Sequence, residues 1–160
     1  MTRFLLDTNV LLDVVLERVP FAVPARELWA AAERQETEIL VPAHGVTTVF
    51  YMARMRGAAF ARRAVADLLL VPKVATVDEA VLRRALTLEW PDFEDAVCAA
   101  AAEAARCDVL VTRDPKGYPR SPVLVLDPDS ALSLIRPSGG PGQVAERPVR
   151  YAREKRRSHR

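Results

Sequence analysis

Short runs rich in Leu, Val and Ile alternate along this chain with longer segments rich in Ala, Leu and Arg, and that alternation restricts the fold more than any other feature. The runs fall at 3–6, 38–41, 73–77, 108–112 and 123–126. Between them, segments 10–17, 22–35, 43–56, 58–70, 78–88 and 92–106 carry apolar residues three and four apart, the spacing of one helix face. Strands separated by helices do not pair as tight hairpins. They pair as a mainly parallel sheet covered by helices, so an α/β layer structure is expected. Within residues 1–135 most of the Pro and Gly sits in the linkers "VPFAVP", "VPAHG", "EWPD" and "RDPKGYPRSP", and no internal repeat is visible.

A chain of 160 residues, half of them hydrophobic, can bury one ordinary core and is too short for two sizeable domains. Residues 1–135 carry 15 basic and 19 acidic side chains, a charge of −4, and are read as the folded domain. Residues 136–160, "RPSGGPGQVAERPVRYAREKRRSHR", carry 8 basic and 2 acidic side chains, a charge of +6, and are expected to form a disordered basic tail. Such a tail serves as a solubilising extension or as an electrostatic arm for a polyanion. No apolar stretch reaches the roughly 18 to 20 residues of a membrane span, and the start lacks a secretory pattern, so a cytoplasmic protein with no membrane partner is expected. Cys98 and Cys107 have neither metal-site nor disulfide spacing and read as small apolar fillers.

In open α/β sheets ligands bind beyond the carboxyl ends of the strands. Asp7 ends the first apolar run in "FLLDTN", and Asp114 follows the run "DVLVT" by two residues. Between them "WPDFEDAVCAAAAEAA" reads as a helix with Pro91 near its first turn and Asp92 and Asp95 three apart on one face. Each acid also has a purely structural reading: Asp7 as a cap for a helix starting near Val10, and Asp92, Glu94 and Asp95 as companions of a helix's positive end. Several carboxylates aimed at one place repel one another unless a cation lies between them, and hard divalent ions such as Mg²⁺ or Mn²⁺ prefer such oxygen donors. Metal-assisted phosphodiester hydrolysis is the leading chemistry. Asn9 and Thr112 are neutral groups near the same strand ends, suited to orienting an acid or a water. A dehalogenase-type phosphatase would want an acid where Asn9 stands, and a dinucleotide-binding domain would want a Gly-rich first turn that "LDTNVLLD" lacks.

"LLDTNVLLD", "DFEDAVCAAAA" and "DVLVTRDPKGY", in this order over about residues 3–130, resemble the PIN-domain ribonucleases and, within them, the VapC-type toxins of toxin–antitoxin pairs. The resemblance implies a three-layer α/β/α PIN-like fold and a Mg²⁺- or Mn²⁺-dependent ribonuclease. It assigns catalysis and metal binding to Asp7, Asp95 and Asp114, with Asp92 as an additional ligand. It also implies an RNA substrate, a cognate antitoxin that blocks the site, and a homodimer. The family's second acid aligns with Thr48 in "PAHGVTTVFYMARM"; His44, one turn earlier, is placed to reach the same region or, more simply, to cap the helix. That departure leaves open a three-acid variant or a catalytically weak PIN-like domain acting as an RNA- or protein-binding regulatory module. Arg113 and Lys116 are the leading RNA-phosphate contacts, with Arg54, Arg56, Arg62, Arg63 and Arg120 as further candidates. The stripe Val49, Phe50, Tyr51, Met52 and Met55 is expected to be mostly core, with a residual apolar stripe left to receive an antitoxin helix or a second chain.

Overall fold

The computed structural model describes residues 1–135. The basic tail beyond them lies outside the described residues. Five strands, β1 (Arg3–Leu6), β2 (Glu38–Pro42), β3 (Lys73–Ala75), β4 (Val109–Val111) and β5 (Leu124–Leu126), form one sheet in the order β3-β2-β1-β4-β5, with every pair parallel. Among the described residues seven α-helices cover it: α1 (Thr8–Val15), α2 (Ala22–Glu33), α3 (Ala43–Ala53), α4 (Ala58–Leu68), α5 (Glu79–Leu86), α6 (Phe93–Ala104) and α7 (Pro128–Ile135). The expected α/β/α layering is what forms. Among the described residues no helix is long and apolar enough to cross a membrane.

The period of two along each strand sorts its residues onto the two faces of the sheet. Phe4, Leu6, Ile39, Val41, Val109 and Val111 pack in one core with Leu11, Leu28 and Leu132, whereas Leu5, Leu40 and Leu110 pack in the other with Val81 and the α6 alanines. Phe4, Leu5 and Leu6 are wholly buried, as a central parallel strand requires. Each such side chain stabilises the fold by roughly 1.5–3 kcal/mol. From Ala96 to Ala102 every residue of α6 is buried, which suits a helix held between the sheet and α5. Its small side chains let the backbone lie close to the strands.

Element boundaries differ from the expected ones in physically readable ways. β3 stops at Ala75, two residues early, and α3 stops at Ala53, where a 3₁₀ turn (Arg54–Arg56) leads to Gly57 at φ 111°, a backbone only glycine adopts readily. Helix α7 was not expected at all. Asp127 opens it by accepting hydrogen bonds from the Ser130 backbone N–H (2.9 Å) and hydroxyl (2.8 Å), and Ala131 and Leu132 dock it on the core.

From β1 the chain steps outward through β2 to β3, then returns to the other side of β1 with β4 and β5. The reversal falls between β1 and β4. Their carboxyl ends are therefore flanked by connections that diverge, which opens a crevice there.

Candidate active site

The Asp7 backbone N–H donates to Val111 O (2.9 Å), extending the β1–β4 ladder by one residue, and the chain turns directly into α1. Asp7 is not a side-chain cap for that helix. Its carboxylate, 5% exposed, points into the crevice, where Oδ2 accepts from the Thr112 hydroxyl at 3.0 Å and Oδ1 lies 4.0 Å from Cys98 Sγ. Burial raises the Asp7 pKa above the usual carboxylate range, with the Thr112 hydrogen bond opposing it. Thr112 also accepts from the Asp114 backbone N–H at 3.3 Å, so one hydroxyl ties the first acid to the turn carrying the last.

Helix α6 brings the second group of acids. Asp92 caps it, with Oδ1 accepting from the N–H groups of Glu94 (2.9 Å) and Asp95 (3.2 Å), so the structural reading of Asp92 holds even though it also lines the crevice. Asp95, the third residue of the helix, faces the crevice. The Tyr118 hydroxyl donates to Asp95 Oδ1 at 3.1 Å. Burial first, then the charges of Asp92 and Asp7, push the Asp95 pKa up to about 6. Burial likewise raises Tyr118, which keeps it a donor at any physiological pH.

Asp114, Gly117 and Tyr118 belong to a 3₁₀ turn (Pro115–Gly117) and its flanks. A Cβ built on Gly117 would stand 3.4 Å from Asp95 Oδ2 and 3.7 Å from Asp114 Oδ2, so the bare glycine leaves a methyl-sized space between two carboxylates. The whole crevice has a volume of about 410 Å³ and is lined by Asp7, Asn9, Asp92, Asp95, Asp114 and their neighbours. Of the described residues lining it only Arg113 is cationic, and no ion pair among the described residues joins a basic side chain to any of the four aspartates. The all-oxygen donor set and the space beside Gly117 fit a hard divalent cation. Among the described residues no three His, Cys, Asp or Glu side chains already stand at metal-holding distances, so retained waters would complete any coordination.

Thr48 is a correction. It does not line the crevice; it is half-buried and its hydroxyl turns back to donate to His44 O at 3.4 Å. His44 is a second correction, since α3 has no side-chain cap. Its ring instead lies 3.8 Å from Glu94 Oε1, which also accepts from the Thr8 hydroxyl at 3.3 Å. Glu94 thus fills the corner between α3 and Asp7. Arg113 lies over the Phe21 ring, 4.4 Å from its centroid, with Nε 3.3 Å from the buried Asp13. Lys116 is exposed on the turn beside Asp114. Arg54 sits over Tyr51, Arg56 over Phe60, and Arg62 and Arg63 lie on the exposed face of α4, none of them lining the crevice, nor does Arg120. Val49 is core as expected, while Tyr51, Met52 and Met55 remain 70%, 42% and 88% exposed.

Tyr118, Asp13 and Phe21 were not singled out by sequence reasoning. Tyr118 and Asp13 lie inside "DPKGY" and "LLDTNVLLD", so the signal was their presence in segments already marked by an acid.

A family model described as PIN domain matches residues 3–116. No curated protein matches the chain significantly. Solved structures with the same fold include DNA-bound VapBC from Salmonella typhimurium (TM-score 0.64, 16% identity, covering 80% of this chain and 99% of that one). VapBC2 from Rickettsia felis, bound to a promoter DNA fragment, is similar at TM-score 0.62 and 14% identity, covering 79% of this chain and 98% of that one. The sarcin–ricin-loop-cleaving toxin VapC20 of Mycobacterium tuberculosis is similar at TM-score 0.58 and 17% identity, covering 71% and 92%. At these identities the likeness is one of fold. With most of its described length matched by the family model, the chain belongs to the PIN-domain family, whose nucleases generally use divalent metal ions.

Proposed function

We propose that the chain is a Mg²⁺- or Mn²⁺-dependent endoribonuclease and the toxin of a toxin–antitoxin pair. The observation that carries this is the crevice at the β1–β4 switch point, where Asp7, Asp95 and Asp114 come from three separate elements with no basic side chain among the described residues paired to them. Asp7, Asp95 and Asp114 would hold the metal, with Asp92 adding negative charge at the rim. A bound divalent ion supplies an activated water and stabilises charge on the phosphate. The chain's own residues do the rest: Thr112 fixes Asp7, Tyr118 fixes Asp95, and the exposed Asn9 offers an amide to orient water or phosphate. Hydrolysis forms one P–O bond to the water oxygen and breaks one P–O ester bond, the departing alkoxide taking a proton.

The antitoxin partner is supported by the likeness to VapBC complexes, and a homodimer by the exposed Tyr51, Met52 and Met55 beside the α3 end. A second reading, a catalytically weak RNA- or protein-binding module, is favoured by the neutral Thr48 turned back on its own helix. Incubating the purified protein with total RNA plus Mg²⁺, Mn²⁺ or EDTA, and mapping cut ends, separates the two. Cleavage with either ion and none with EDTA is expected; RNA left intact under all three conditions would favour the module.

A further inference from the structure

Phe21 sits in the turn before α2, 46% exposed, and lines the same crevice as Asp7, Asp95 and Asp114. An aromatic ring left open to water beside a carboxylate cluster has not been placed there by core packing. One of its faces is covered by the Arg113 guanidinium, 4.4 Å from the centroid, a cation–π contact. Arg113 is itself anchored, because Asp13, only 1% exposed, lies 3.3 Å from its Nε and is also approached by Arg18 at 3.9 Å. Among the described residues neither Asp13 oxygen has a hydrogen-bond partner, and the two arginines are what compensate its burial. The cation expected to meet a phosphate is thus committed to a buried acid and to the back of an aromatic ring.

We propose that the Phe21–Arg113 stack is a base-binding subsite that receives one unpaired nucleobase of single-stranded RNA next to the scissile phosphate. This rests on the ribonuclease reading of the crevice. Aromatic rings backed by arginine bind unpaired bases through their faces, and the interaction tolerates any base because every base has a π-face. A ring held from behind loses little freedom when a base arrives. Arg113 and Asp13 are positioning residues here, and Phe21 makes the contact.

The test uses the full chain with Ca²⁺ in place of Mn²⁺, short single-stranded oligoribonucleotides, and salt high enough to suppress binding by the basic tail. Replacing single nucleotides with abasic residues should weaken wild-type binding about 5- to 100-fold at one position, the range for loss of one stacked base. Phe21→Leu, which keeps apolar bulk and loses the π-face, should weaken binding of the intact strand by a similar factor and be insensitive to the abasic residue at that position. Phe21→Trp should bind at least as tightly as wild type, and thermal melts confirm that both variants fold. Equal affinity of wild type and Phe21→Leu, or an abasic effect that persists undiminished in Phe21→Leu, overturns the subsite alone if the wild type still cleaves RNA with Mn²⁺. A wild-type protein that neither binds nor cleaves RNA overturns the ribonuclease reading and the subsite together.

Discussion

The Tyr118 hydroxyl donates to Asp95 Oδ1 at 3.1 Å, and the Tyr118 ring is steadied by an edge-on contact with Trp90, centroids 5.7 Å apart. Asp95 Oδ2 is left on the side of Gly117 and Asp114. One oxygen is held and the other offered. Tyr118→Phe should therefore keep the fold and weaken Mn²⁺ binding, on the order of tenfold as for other groups that orient a ligand. Calorimetric titration measures it; unchanged affinity would mean the phenol does not position Asp95.

Asp95 also sets a pH dependence whose sign follows from its raised pKa. Between the ordinary 3.8 and about 6, the unfolded chain has released this proton while the folded protein keeps it. The folded state binds more protons there, so stability contributed by this group falls as pH rises through that window and is lowest above about 6. Burial of Asp7 acts in the same direction. In metal-free protein, Asp95→Asn should raise Tm at about pH 7.5 and do so much less at about pH 4. Melting curves of both proteins at the two pH values check it, and a pH-independent difference would contradict the burial and charge repulsion assigned to Asp95.

Removing charge from the cluster without changing its shape gives the functional counterpart. Asp7→Asn, Asp95→Asn and Asp114→Asn should each lose most metal-dependent RNA cleavage while remaining folded, since an Asn amide oxygen still accepts the Thr112 or Tyr118 hydrogen bond. Full cleavage by the Asp95→Asn protein would sink the proposed metal site.

Gly117 offers a subtler probe. Its backbone is not in the left-handed region and a methyl there meets only ordinary contact distances, 3.4 and 3.7 Å, so Gly117→Ala should fold with little change in Tm. The methyl would occupy space between Asp95 and Asp114. Mn²⁺ affinity should fall about tenfold or more, the scale of other perturbations next to a ligand shell. Isothermal titration with tight, wild-type-like binding would place the metal elsewhere in the crevice.

The C-terminus divides into a part that matters for stability and a part expected not to. Deleting 137–160 removes little apolar area and should leave Tm almost unchanged; a loss above about 5 °C, on the order of 1 kcal/mol or more, would mean the tail is docked. Deleting 127–160 also removes α7 and the buried Ala131 and Leu132. That should cost several kcal/mol, since losing a buried Leu alone costs about 2–5 kcal/mol. Parallel thermal melts of the two truncations decide it.

Local pattern made much of this legible. β-branched and leucine-rich runs marked all five strands, and acids following two of those runs marked the crevice. Helix α7 escaped because "PDSALSLI" is a single short stretch, two turns long, with too few apolar positions to establish a period. Asp13 looks like a polar interruption in an apolar helix; its meaning depends on Arg113, which only the β1–β4 pairing brings near. Thr48 and His44 were misplaced because spacing along a helix fixes which residues share a face but not how that face is rotated against its neighbours. Their rotation is set by close packing, with Gly45 near enough to α1 that a Cβ would stand 3.0 Å from the Thr8 hydroxyl.

Asp7 and Thr112 are hydrogen-bonded across a separation of 105 residues. Asp7 is made 105 residues before the threonine that holds it, and β1 has no companion strand on that side until β4 follows. Every product of interrupted translation or early proteolysis that ends short of Thr112 is missing one wall of the crevice. The crevice is therefore whole only once the chain has been made through Asp114 and Tyr118, and a fragment that ends earlier lacks the turn that faces Asp95.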